Sequence, residues 1–309
     1  MTVATAAATS RREPSRSGVL SARPVLGFLV AVIFLIILWE VAKWLAGDPW
    51  RFESFLGTGL RIDHTPPFHL NQLSDINLPH VWDVVGAFVA TDAAGQSGLA
   101  LLVGSAIFTL RGAVVGFALG AVFGLALAVV LVHVRVLERA LVPLVVASQT
   151  IPIVALAPII VVGLQAGWFG IAIVASYLTF FPVTVAAIRG MRAADPRAFE
   201  LLRSYAAGRR EILAKLRWPA SYPYLFTAFK ISATASIVGA IVGELPSGFR
   251  EGLGGRILTA MQYYTLSPAD LWAAAIVSAG LGILAFLAVM AVERYALRDQ
   301  RPIETEAAT

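Results

Sequence analysis

Six runs of about twenty apolar residues constrain this chain more than any other feature, since that is the length a helix needs to cross a bilayer. They cover residues 25–46, 112–132 with an apolar lead-in from 98, 141–164, 168–188, 223–245 and 271–292. In lipid, every backbone N–H and C=O has to be satisfied within the protein, and separate runs of this length do so as helices. The expectation is an all-α membrane protein with six transmembrane helices. Apolar residues make up 58% of the chain and charged residues 14%. A soluble domain carries about 25% charged residues.

The net charge of +5 does not point to nucleic acid, because the basic residues form no groove or aromatic-basic array. They lie between the apolar runs and report topology. Six spans put both termini on one side. With the N-terminus cytoplasmic, seventeen Lys and Arg fall inside and six outside, with Lys230 within the fifth span. The predicted organisation is a cytoplasmic tail (1–24), a first span (25–46) and an external segment (47–97). A membrane core (98–294) and a cytoplasmic tail (295–309) follow. There is no cysteine, which excludes disulfides and thiolate-ligated metal.

The densest charge lies in the loop 189–222, with eight basic residues. Asp195-Pro196 is a helix start, with aspartate as N-cap and proline at the first helical position. Phe199, Leu202 and Tyr205 follow at helical spacing. Ala206-Ala207-Gly208 forms a bend, and a second amphipathic segment (209–217) carries Ile212, Leu213 and Leu216. Two such helices outside the bilayer lie on lipid headgroups, pack against their own bundle or dock a soluble partner.

The residues from Glu200 to Pro219 resemble the cytoplasmic signature of binding-protein-dependent ABC importer permeases. Glu200, Ala207, Arg209, Ile212 and Pro219 fall in register, while Leu202 replaces an alanine and Ala206 the signature glycine. Residues 151–158, Gly243-Glu244, the glycines Gly252, Gly254 and Gly255, and 292–294 resemble the nitrate/sulfonate/taurine branch. Leu78-Pro79 resembles the start of its short external segment, so 48–77 reads as an insertion. The resemblance implies a type I, methionine-importer-like fold in a bacterial inner membrane. It also implies a second permease copy, an ABC ATPase docked on this loop and an extracytoplasmic binding protein. The docking residues it implies are Glu200, Leu202, Tyr205, Ala206, Ala207, Gly208, Arg209, Ile212 and Pro219. The substrate it implies is a small polar solute such as a sulfonate, taurine or nitrate, with pyrimidine- or riboflavin-like vitamin precursors as the alternative.

No cofactor is expected on this chain, with ATP and Mg on the partner ATPase. None of the three lysines (Lys43, Lys215, Lys230) follows a glycine, so no P-loop is present and the chain is not expected to be an enzyme. An ion-driven secondary transporter would carry ionisable residues at mid-membrane. The candidates here are Glu40, Lys43, Lys230 and Glu244. Glu40 and Lys43 are spaced to pair with each other, Lys230 is placed to snorkel to water, and Glu244 ends its span.

Polar residues within the spans line a path or glue helices together. Ser148, Gln149 and Thr150 precede Pro152, Tyr177 and Thr179 precede Pro182, and Ser232 and Ser236 lie in the fifth span. Gln149 is the leading path candidate, because an unpaired amide is costly in lipid. Gly112, Gly116, Gly120 and Gly124 recur every fourth residue, which predicts close helix packing. His64, His69 and His80, with Asp63 and Asp75, match no standard zinc spacing and read either as a metal site or as locally bonded groups.

Overall fold

The computed structural model describes residues 22–52, 62–91, 95–165 and 167–298. Most of both predicted tails and part of the predicted insertion lie outside the described residues. The chain divides into two units, Met1–Val81 and Trp82–Thr309.

In the first unit, α1 (Ala22–Ala46) is apolar on every face, and nearly all its described side chains as far as Leu38 are exposed. Such a surface suits lipid, not water. A two-stranded antiparallel ribbon follows, β1 (Trp50–Phe52) and β2 (Ile62–His64), with Trp50 opposite His64. Glu40 and Lys43 do not pair with each other as expected. Lys43, fully buried, donates to Asp75 and to the Leu78 carbonyl. Glu40 accepts the Val81 amide at 2.8 Å and meets His80 Nδ1 at 2.9 Å. The charges at the end of α1 thus hold the folded segment that follows it.

The same segment accounts for the histidines. His64 stacks on Trp44, with centroids 4.5 Å apart, and His69 Nε2 lies 3.0 Å from Asp48 Oδ1. No cluster of metal-ligating residues occurs among the described residues.

The second unit contains α2 (Val81–Val89, whose first residue belongs to the first unit), α3 (Gly98–His133), α4 (Arg135–Ser148), α5 (Ile153–Pro158), α6 (Trp168–Arg192) and α7 (Pro196–Ser204). Then come α8 (Arg209–Ile212), α9 (Trp218–Glu244), α10 (Leu253–Gln262) and α11 (Pro268–Ala296). Helices α3, α6 and α9 form its centre. The glycine stripe of α3 faces α6 of the same chain. A Cβ on Gly116, Gly120 or Gly124 would lie 2.5–2.7 Å from the carbonyl oxygens of Ala172, Ser176 and Phe180. The four-residue repeats of the two helices match, so their backbones approach closely.

Three predicted boundaries change. The second span and its lead-in are one helix of 36 residues, about 54 Å at 1.5 Å per residue. The fifth span is continuous with the second amphipathic segment, because α8 runs through a π-helical turn (Leu213–Arg217) into α9. The third span is broken: α4 and α5 with its π-helical continuation (Ile159–Gly163) meet at 90°. Pro152 sits at the N-cap of α5, so it ends one helix and starts another instead of kinking one. Among the described residues, five helices are long and apolar enough to span a membrane, and a sixth span exists if the broken pair counts as one.

Candidate functional site

Helix α7 has no fully buried residue. Asp195 caps it by accepting the Arg197 amide at 2.9 Å, and Pro196 opens its first turn. Phe199 lies under two guanidinium groups, Arg203 at 5.8 Å and Arg217 at 5.5 Å, which fasten the helix to the α8–α9 connection. Phe199 and Leu202 are half-buried. Tyr205 is 77% exposed and Leu201 56% exposed. Leu201 lies off the face that spacing predicted, and only its exposure marks it.

The bend after α7 is a Schellman motif. The Ala207 amide donates to the Leu202 carbonyl and the Ala206 amide to the Arg203 carbonyl. This motif requires a left-handed residue, and Ala206 supplies it at φ 54°. Gly208 has φ −71° and uses none of its conformational freedom. Its amide donates to Glu211 at 3.2 Å, which caps α8. Glu200 and Arg209 are exposed, Ala207 is half-buried, Ile212 is buried, and Pro219 lies in the first turn of α9.

At the α4–α5 break, the structure brings Ser148, Gln149, Thr150 and Tyr177 together. The Tyr177 hydroxyl donates to the Ser148 carbonyl, and Thr150 donates to the Ala147 carbonyl at 2.8 Å. The Gln149 amide has one weak contact, 3.5 Å from Ser148 Oγ. Thr179, Ser232 and Ser236 are elsewhere, buried in the α3–α6–α9 centre. Their hydroxyls donate to the carbonyls of Ala175, Thr179 and Ala233.

Two charged arrangements escaped sequence reasoning. Lys230 does not reach for water but donates to Glu293 of α11 at 2.8 Å, with both side chains 20% exposed. Glu244 is 1% exposed and sits in a glycine cradle. Its Oε2 accepts from Thr109 at 3.0 Å and from the Gly254 amide at 2.7 Å, and the Leu253 amide donates to Thr109 Oγ1. A Cβ on Gly252 would lie 2.3 Å from that carboxylate, and one on Gly254 2.7 Å from Glu244 Cβ. The spacing of Gly243-Glu244 and 252–255 was visible in the sequence, but its meaning needed the fold.

Stacked apolar helices, a broken helix with polar groups at the break and an amphipathic helix with no fully buried residue describe a multi-span membrane protein. The profile of the family "binding-protein-dependent transport system inner membrane component" matches residues 120–297, and the chain belongs to that family as an ABC importer permease. Permeases of such systems work with an ATPase and a substrate-binding protein. The chain is 35% identical over 188 residues to the formylaminopyrimidine transport permease protein ThiX of Halalkalibacterium halodurans, covering 59% of this chain and 72% of that one. It is 32% identical over 234 residues to the riboflavin transport system permease protein RibX of Chloroflexus aurantiacus, covering 76% of each. Bacillus subtilis SsuC, named for aliphatic sulfonates transport, is 28% identical over 161 residues, covering 50% of this chain and 55% of that one.

Proposed function

We propose that this permease carries a heterocyclic vitamin precursor, a pyrimidine- or riboflavin-like solute, inward across a bacterial inner membrane. The observation that carries the reading is the higher identity and coverage of the two relatives named for such solutes, compared with the one named for sulfonates. Sulfonates, taurine or nitrate, the first expectation from the sequence, are the second reading.

In this proposal two copies of the chain form the path, and both termini face the cytoplasm. ATP and Mg act on the partner ATPase. Exposed Tyr205 and Leu201, with Glu200 and Arg209, form the surface that enters the ATPase, and the bend at Ala206 sets its angle. Gln149, with Ser148, Thr150 and Tyr177 at the α4–α5 break, faces the solute.

Uptake into vesicles containing the permease, its ATPase and its binding protein tests the substrate. Formylaminopyrimidine or riboflavin is expected to be taken up and an aliphatic sulfonate not; the reverse outcome rejects the reading. Glu200→Lys or Arg209→Glu is expected to abolish ATP-driven uptake while the protein still inserts. Normal uptake by either variant removes the docking role. Single cysteines at Ser204 and Arg250 are expected to label from opposite sides, and same-side labelling overturns the topology.

A further inference from the structure

A cavity of about 630 Å³ opens where α3 ends, α4 begins and α6 ends. Four arginines line it, Arg135, Arg139, Arg192 and Arg217, against one carboxylate, Glu138. Arg192 already pairs with Glu138, so the lining keeps a net of three positive charges. Neither Arg135 nor Arg139 has an ion-pair partner among the described residues. The first turn of α4 also has no side-chain cap at Val134. Arg135, Arg139 and Arg192 are exposed and Arg217 is half-buried, so the cluster stays open to an anion that would join the guanidinium groups. The donor set is the one that grips phosphate.

We propose that this cavity binds the phosphate of an anionic phospholipid headgroup in the cytoplasmic leaflet. Two observations favour a lipid as the source of the phosphate. The cavity lies at the ends of two spanning helices, α3 and α6, where headgroups sit. Half-buried Val142 lines its wall, and one turn further along the same face of α4 Val146 is 49% exposed, an apolar continuation suited to an acyl chain. Arg217 also lies over Phe199 of α7 at 5.5 Å, so the bound headgroup touches the residue that fastens the docking helix. The leaflet assignment rests on the orientation proposed above, which the cysteine labelling tests separately.

The test uses the full chain purified with its ATPase, stripped of lipid and titrated with short-chain phosphatidylglycerol, phosphatidylcholine or inorganic phosphate. Bound ligand is read by native mass spectrometry. Phosphatidylglycerol is expected to bind on the order of ten-fold more tightly than phosphatidylcholine. Arg135→Gln with Arg139→Gln should remove that preference, Arg135→Lys with Arg139→Lys should keep part of it, and Arg294→Gln, an exposed residue near the end of α11, should leave it unchanged. Equal binding of the two lipids overturns the proposal, as does an unchanged double glutamine variant. An equal loss in Arg294→Gln also overturns it, because general surface charge would then account for binding. Inorganic phosphate bound at the same arginines, with no preference between lipids, rejects the lipid and assigns the site to a free anion.

Discussion

The Gly254 amide donates to Glu244 Oε2 at 2.7 Å, so the residue that ends α9 caps the N-terminus of α10. The carboxylate meets the positive end of a helix dipole and is held from the other side by Thr109 of α3. Three helices therefore meet on one buried side chain. Removing Glu244 strands the Gly254 amide, at a cost of about 1–3 kcal/mol. Gly254→Ala forces a methyl against the Ile241 carbonyl and costs a similar amount, about 1–3 kcal/mol. Glu244→Ala and Gly254→Ala are expected to lower the unfolding temperature in detergent, while Glu244→Gln, which keeps an acceptor oxygen, lowers it less. Equal losses for Gln and Ala would discount the capping role.

Lys230 and Glu293 tie α9 to α11 by a single ion pair. Breaking a largely buried pair leaves one charge uncompensated, and about 3 kcal/mol is the expected cost of Lys230→Met or Glu293→Gln alone. The double variant should recover part of that loss. A thermodynamic cycle over the three proteins measures it, and strictly additive losses would mean that the pair is not coupled.

Ala206 occupies left-handed backbone, which costs a non-glycine residue roughly 1–2 kcal/mol. Ala206→Gly is expected to relieve most of this strain and raise the unfolding temperature and, if α7 docks the ATPase as proposed, to alter complex formation. Ala206→Val should have the opposite effect on both unfolding temperature and complex formation. If Ala206→Gly destabilises the protein, the bend does not depend on left-handed geometry.

Asp48 makes the segment after α1 sensitive to pH. Burial alone would raise its carboxyl, but hydrogen bonds from the Asp75 amide and His69 outweigh it and hold the group below its ordinary value of 3.8. A lowered pKa in the folded state stabilises the segment at pH above the ordinary value. That contribution is lost as pH falls through the lowered one. Hydrogen exchange across residues 67–78, relative to the intrinsic rate at each pH, is expected to speed up on acidification below about pH 4. In Asp48→Asn it should be fast already at neutral pH and respond less to acid.

Much was decided by the sequence itself. The apolar runs marked the membrane helices, because a bilayer imposes a length and forbids exposed polar backbone. Asp195-Pro196 marked the start of α7, and the glycines four apart marked a close helix contact, since both depend on neighbours within a turn or two. The tertiary structure alone decided which helix met that stripe, that α4 and α5 break at 90°, and that Ala206 takes the glycine conformation. It also decided the partners of Glu40, Lys43, Lys230 and Glu244, which lie 32 to 135 residues away for their side-chain pairings with Asp75, His80, Glu293 and Thr109. Helical periodicity shows which face a side chain occupies. Which charge it meets depends on how distant segments pack, and in a low-dielectric interior that meeting determines whether a charge can be buried at all.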